Sequence, residues 1–189
     1  EITQIWEETR NWSLEDFDQI YKWLGTEFDH VFYESEVDEE GRQLVTQGAE
    51  DGLFQKSDGA IGVDLIDEKL GFFLLLKSDG NTLYSTKDLA LAKRKFEEFG
   101  IERSIYVVGA EQTLHFQQVF ATLKKMGYQQ ASRCFHLPYA LVVLPEGKMS
   151  SRVGNVILFS KLQQEMCDFV RNNYLESHRE SWSDEEIES

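Results

Sequence analysis

Apolar positions in the first part of the chain switch between helical spacing and short continuous runs. Helical spacing in NWSLEDFDQIYKWLG predicts a helix from Ser13 to a stop at Gly25, and the next apolar stretch, HVFYES, predicts a short strand. The segment DEEGRQLVTQGAEDG predicts a helix bounded by glycines. The runs GAIGVDL and GFFLLLK, separated by IDEKL, predict a β-hairpin or two neighbouring strands, and SDGN predicts a turn.

After that turn, strands and helices alternate. Ser85 or Thr86 could cap a helix through KDLALAKRKFEEF that ends at Gly100, and SIYVVG is typical of a buried parallel strand. A helix in QTLHFQQVFATLKKMG, an extended RCFHLPYALVVL, a helix in LFSKLQQEMCDFVRNNYL and a polar acidic tail follow. This order implies parallel strands with right-handed crossovers. We therefore predict an α/β fold, a parallel-sheet Rossmann-like half preceded by a helical and hairpin part.

Charge narrows the possible functions. The 189 residues carry a formal net charge of −15, which repels nucleic acid at long range, because phosphate binding normally depends on Lys and Arg. This argues against a simple nucleic-acid-binding module. An enzyme whose nucleic-acid contacts lie on a local patch or on another domain remains compatible.

Cysteine content and apolar run lengths indicate the cellular setting. Cys134 and Cys167 are the only cysteines, so the sequence has no disulfide framework and no CxxC metal motif. No apolar run approaches the about 20 residues of a membrane span, and nothing near Glu1 resembles a signal peptide. These features predict a cytoplasmic protein without a membrane partner, and the start at Glu1 suggests an internal segment of a longer chain.

Three polar segments follow predicted strands: YSTKD at 84–88, GAEQTLH at 109–115 and GKMSSR at 147–152. In open α/β sheets, ligands bind beyond the carboxyl ends of the strands, so these segments could converge on one site. Each segment alone has a commoner structural explanation, as helix caps, packed side chains or a solvated loop. Their combination is what points to a function.

Together these stretches resemble the arginyl-tRNA synthetases, whose catalytic domain is Rossmann-like. The resemblance runs through TRNWSLEDFDQIY, SDGAIGVDL, LLLKSDGNTLYSTKDLA, IYVVGAEQTLHFQQVF and HLPYALVVLPEGKMSSRVGNVI. It implies three parts: a helical and hairpin part over 1–76, the second half of the catalytic fold over 77–160, and a helix and acidic tail over 161–189. The last part would lead toward an anticodon-binding domain.

The resemblance also assigns an arginine pocket. A guanidinium is planar and always charged, so it requires carboxylates and hydrogen-bond acceptors. Tyr84 and Asp88, four positions apart, are assigned to arginine binding, and Gln112 to the amino-acid pocket. Glu34 in YES is a second carboxylate candidate.

ATP would be bound by a different set of residues. Glu111 stands where this family often has aspartate, and its carboxylate would accept hydrogen bonds from ribose hydroxyls. The full set assigned to ATP is Gly109, Glu111, His115, His136, Val143 and Lys148. Lys148, Ser150 and Ser151 match the mobile signature loop and would stabilise charge on pyrophosphate as arginine attacks the α-phosphorus.

One family signature is missing from these residues. The class has a His-x-Gly-His motif, but none of the four histidines here has that context. The implied partners are L-arginine, ATP with Mg²⁺ and tRNA(Arg), with no zinc, and we expect the chain alone to be inactive. Two alternatives remain: a non-catalytic binding domain derived from a synthetase, and another nucleotidyl transferase of related fold.

Overall fold

The computed structural model describes residues 2–141, 143–144, 147–148, 156–179 and 181–188. Two compact units are found, His30–Leu141 and a second unit formed by Glu1–Asp29 with Val142–Ser189. The functional division predicted from the sequence, at 76/77 and 160/161, stays a prediction.

Six α-helices and seven strands are found among the described residues. In chain order they are α1 (Ile2–Trp23), α2 (Glu34–Glu50), β1 (Gln55–Ser57), β2 (Ala60–Leu65), β3 (Gly71–Leu76), α3 (Tyr84–Phe99), β4 (Ser104–Gly109), α4 (Thr113–Lys125), β5 (Cys134–Tyr139), β6 (Val143–Leu144), β7 (Gly147–Lys148), α5 (Phe159–Val170) and α6 (Asp184–Glu188).

Within His30–Leu141, two sheets are built from different strand pairings. β1, β2 and β3 form an antiparallel sheet in sequence order, which confirms the predicted hairpin and adds β1 to it. β4 and β5 pair in parallel, with Ser104 opposite Cys134 and Gly109 opposite Tyr139. Because α4 connects these two strands, the predicted strand–helix–strand order, and with it the α/β fold class, is confirmed.

The core of this unit lies between the antiparallel sheet and helices α2, α3 and α4. Leu65, Leu75, Leu89 and Leu123 are almost fully buried there. Burying one such side chain stabilises the fold by about 1.5–3 kcal/mol relative to leaving it in water. Gly100 ends α3 with φ of 57°, a left-handed conformation that glycine adopts without strain. The apolar faces of these three helices therefore pack on the same antiparallel sheet.

The second unit consists of α1, the β6–β7 hairpin, α5, the turns that follow it and α6. Val143 pairs with Lys148 in that antiparallel hairpin. The Trp23 ring meets the Phe159 ring edge-on, with 5.5 Å between centroids. A π-helical turn over Arg171–Leu175 extends α5, which confirms the predicted helix there.

Three local predictions were wrong. α1 begins at Ile2, not at Ser13, whose hydroxyl donates to the Thr9 carbonyl inside the helix. The segment HVFYES forms no strand, and α2 begins at its Glu34. Leu83, not Ser85 or Thr86, is the N-cap residue of α3, although the Thr86 hydroxyl accepts a hydrogen bond from the Leu83 backbone N–H.

Candidate active site

The parallel pair ends at an edge that carries several of the predicted side chains. β4 ends at Gly109, and a 3₁₀ turn over Ala110–Gln112 leads directly into α4. Glu111 and Gln112 are both exposed in that turn. Because the carboxyl ends of parallel strands share one edge, these two side chains lie where ligands bind in open α/β sheets.

Gly109 and Glu111 are in close contact. A β-carbon on Gly109 would lie 2.5 Å from both carboxylate oxygens of Glu111, closer than real side chains come. The Glu111 side chain therefore folds back over the last residue of β4. Only glycine at 109 leaves room for this arrangement.

Two hydroxyls fix the start of α3 on the antiparallel sheet. Ser85 Oγ donates to the Leu74 carbonyl oxygen at 2.7 Å, and Thr86 Oγ1 donates to the Leu75 carbonyl oxygen. Both hydroxyl-bearing side chains are buried. The opposite face of the same helix start carries the predicted arginine ligands.

On that face, Tyr84 and Asp88 are one helical turn apart, so both can reach the same ligand. Tyr84 is the first residue of α3 and is 71% exposed, so it is not a packed aromatic. Asp88 lies in the second turn, where it cannot serve as the N-cap. Tyr84 is therefore not a packed aromatic and Asp88 is not a helix cap, although these are the commonest roles of such residues near a helix start.

Asp88 is in contact with His115 of α4. His115 Nε2 lies 2.6 Å from Asp88 Oδ2, and the two side chains are 22% and 26% exposed. The His115 ring meets the Phe73 and Phe116 rings edge-on at 5.6 Å and 5.3 Å. A residue assigned to arginine and a residue assigned to ATP therefore form one pair.

Glu34 also has a partner. Lys87 Nζ donates to Glu34 Oε2 at 2.6 Å and lies 3.7 Å from Asp38 Oδ1. The Glu34 hydrogen bond raises the pKa of Lys87. A hydrogen bond from Thr82, followed by the charges of Lys87 and Arg42, lowers the pKa of Asp38. This cluster links α2 to α3.

Sequence reasoning missed Lys87, although it directly precedes Asp88. It also missed Lys95, whose Nζ donates to Ser104 Oγ at 2.8 Å and lies 3.9 Å from the Tyr106 ring centroid. Burial lowers the pKa of Lys95 and raises that of Tyr106. Lysines in a helix usually indicate a solvated face. Only their position on the same helix as Asp88 could have indicated that these two lie near the site.

The remaining predicted residues are placed unevenly. His136 Nε2 donates to the Val108 carbonyl oxygen at 2.9 Å, and its ring centroid lies 4.8 Å from that of Phe116. Val143 and Lys148 are described only as paired hairpin residues. Ser150 and Ser151 lie outside the described residues.

Neither a metal centre nor a membrane span is found in the described part of the chain. No group of three or more His, Cys, Asp or Glu side chains there could hold a metal ion. No helix within the same residues has the length and apolarity needed to cross a membrane.

Comparison with known proteins identifies related chains. The family model described as "tRNA synthetases class I (R), catalytic domain" matches residues 1–188. The arginine–tRNA ligase of Bdellovibrio bacteriovorus is 49% identical over 97% of this chain, and that of Bacteroides thetaiotaomicron is 42% identical over 90%. The chain spans about a third of each relative, 32% and 29% respectively.

A solved structure agrees at the level of the fold. The crystal structure of arginyl-tRNA synthetase from Plasmodium falciparum superimposes with a TM-score of 0.77. The match covers 97% of this chain and 30% of that one, at 19% sequence identity. The predicted family resemblance is confirmed by the sequence matches, and the fold by this structure.

Proposed function

Because the chain belongs to the catalytic-domain family of class I arginyl-tRNA synthetases, we propose that the complete protein is an arginine–tRNA ligase. In its first step, the arginine carboxylate attacks the α-phosphorus of ATP, giving arginyl-adenylate and releasing pyrophosphate. In its second step, a ribose hydroxyl at the 3′ end of tRNA attacks the arginyl carbonyl and AMP leaves. Both products thus form by group transfer without a redox step.

Tyr84 and Asp88, which share one face at the start of α3, carry this proposal. Tyr84 and Asp88 present a phenol and a carboxylate from a helix whose start is fixed by Ser85 and Thr86. A guanidinium could bind the carboxylate with paired hydrogen bonds while the phenol lies beside it. Gln112 would serve the polar groups of the amino acid.

Glu34 stays the second proposed arginine ligand, with one condition set by the structure. Its carboxylate is bound to Lys87 at 2.6 Å. Arginine would therefore share Glu34 with Lys87 or displace that ammonium.

ATP would bind beyond the ends of the two parallel strands. Glu111 would accept hydrogen bonds from the ribose, with Gly109 giving it room, and His136 and Val143 would border the adenine. Lys148, Ser150 and Ser151 would stabilise charge on the departing pyrophosphate. His115 was also predicted on the nucleotide side, yet its Nε2 contacts Asp88.

The metal ion and the tRNA partner are proposals as well. Magnesium would enter with ATP as part of the substrate, and tRNA(Arg) would be contacted mostly by other parts of the protein. The absence of zinc and a cytoplasmic location stay predictions. A non-catalytic descendant and another nucleotidyl transferase stay the alternatives, and the former would bind arginine and ATP without forming adenylate.

Asp88→Asn in the complete protein tests the proposal. Breaking a desolvated ion pair from one side costs about 3–5 kcal/mol, and partial solvation at this open site reduces that. We expect kcat/KM for arginine to fall by roughly 10²–10³-fold, with the KM for ATP nearly unchanged. Arginine-dependent ATP–pyrophosphate exchange with tRNA supplied measures both constants.

The matched control is Asp79→Asn, the same change in an exposed turn where Asp79 contacts Asn81. It should keep the kinetic constants of the unmodified protein. If Asp88→Asn is as active as this control, Asp88 does not bind the guanidinium and the proposed pocket is wrong.

A further inference from the structure

We propose that His115 is a positioning residue that orients the Asp88 carboxylate toward the guanidinium of arginine. The inference rests on the proposed function and deepens it, because it moves His115 from the nucleotide side of the site to the amino-acid side. The observation behind it is the 2.6 Å contact between His115 Nε2 and Asp88 Oδ2.

The geometry suits a positioning role. With Oδ2 bound to the imidazole, Oδ1 of Asp88 has no hydrogen-bond partner among the described residues. A carboxylate with one oxygen fixed has lost the rotational freedom that an exposed aspartate keeps. Arginine would then bind without having to order that side chain, which reduces the cost of binding.

The imidazole is itself held in place. Phe73 from β3 and Phe116 from α4 contact its ring, with centroid distances of 5.6 Å and 5.3 Å. The contact with Phe73 thus fixes the imidazole relative to the sheet, and the imidazole in turn fixes the Asp88 carboxylate. Asp88 is only partly buried on its own helix and lacks such packing.

Two lysines of α3 are engaged with other groups. Lys87 binds Glu34 and Asp38, and Lys95 binds Ser104 and lies over the Tyr106 ring. Within the described residues, His115 is therefore the basic side chain in contact with Asp88.

Two polar substitutions of different reach test the role in the complete protein. The amide nitrogen of glutamine extends about as far from the backbone as Nε2 of histidine, whereas that of asparagine stops near Nδ1. We expect His115→Asn to raise the KM for arginine about tenfold, the size of a lost hydrogen bond to a charged group. His115→Gln should stay within about twofold of the unmodified protein, since its donor is kept.

Exchange kinetics with tRNA supplied provide the measurement, and the KM for ATP is the internal reference. A positioning role leaves the KM for ATP unchanged in both variants. If the KM for ATP rises while that for arginine does not, His115 serves the nucleotide and the inference is overturned. Equal effects of asparagine and glutamine on arginine overturn it as well. Should His115→Asn not fold, His115→Leu replaces it in this comparison.

Gln118→Leu is the matched control. It removes a hydrogen bond from the same helix, one turn from His115, without touching Asp88. It should lower the melting temperature while leaving the KM for arginine unchanged. A rise in that KM equal to the one in His115→Asn would show that any loosening of α4 has this effect, and would overturn the positioning role.

The double variant separates this inference from the proposed function. If His115 acts through Asp88, His115→Asn should add little to the defect of Asp88→Asn. An inactive unmodified protein would remove the proposed function and this inference together. An active protein that is sensitive at Asp88 but indifferent at His115 would overturn the positioning role alone.

Discussion

Gly109 is the last residue of β4, and its missing side chain decides where the Glu111 carboxylate can lie. Its backbone, with φ of −54° and ψ of 147°, is open to any L-residue. Substitution there would thus act through the contact with Glu111 and not through backbone strain. A substitution at this position can therefore change ATP binding without changing the stability of the fold.

We predict that Gly109→Ala raises the KM for ATP roughly three- to tenfold by displacing the Glu111 carboxylate. The KM for arginine and the melting temperature should change little, because the flexible end of a glutamate can swing aside. Exchange kinetics and thermal unfolding of the complete protein check both statements. In a Glu111→Ala background, Gly109→Ala should add nothing, and a further rise in the KM there would contradict the prediction.

At the scale of elements, α3 depends on the hairpin sheet for its position. Thr86 is fully buried, and its hydroxyl donates to the Leu75 carbonyl oxygen and accepts from the Leu83 backbone N–H at 3.3 Å. Leu75 is itself fully buried, so its carbonyl oxygen cannot turn to water instead. The start of the helix is therefore fixed by hydrogen bonds as well as by apolar packing.

We predict that Thr86→Val lowers the free energy of unfolding by about 1–3 kcal/mol, because it leaves buried polar groups without partners. Urea unfolding of this chain measures the change. Thr122→Val is the matched control. Thr122 is equally buried, but its hydroxyl binds the Gln118 carbonyl, which lies within α4 and keeps its helical bond. A loss at Thr122 as large as that at Thr86 would contradict the explanation.

The order of the elements was predictable because it depends on short local sequence patterns. The spacing of apolar residues and the glycine stops indicated α3, α4 and the parallel pair, and IDEKL marked the hairpin turn. Element starts were less predictable. Ser13 has the chemistry of a cap yet lies inside α1. Ser85 and Thr86 donate to carbonyls eleven residues before them, and only Thr86 also binds the start of its own helix, at the Leu83 backbone N–H.

The candidate site was only partly predictable for a related reason. Tyr84 and Asp88 share a helix face, which sequence spacing alone can show. Asp88 and His115 are 27 positions apart, and Glu34 and Lys87 are 53 positions apart. No periodicity connects such residues. Their pairing follows from how α2, α3 and α4 pack on one sheet, and it appears only in three dimensions.

At the scale of the whole molecule, these 189 residues include the ends of the parallel strands and the residues predicted to form the signature loop, but no His-x-Gly-His motif. We predict that the isolated chain does not catalyse arginine-dependent ATP–pyrophosphate exchange, even with tRNA supplied. Losing a single preorganised donor to the transition state typically costs about 10²–10³ in rate, and here a whole set is missing. The complete protein, assayed in parallel, is the positive control. Exchange by the isolated chain at a comparable rate would refute the prediction.

At the start of α3, one face packs in the core and another carries the proposed arginine ligands. Ser85, Thr86 and Leu89 are buried against the sheet, while Tyr84 faces outward and Asp88 lies partly buried against His115. For protein engineering, this makes the exposed position 84 suited to a saturation library. Most members of such a library would still fold, so a selection for non-natural amino acids would sample changes in specificity instead of misfolded chains.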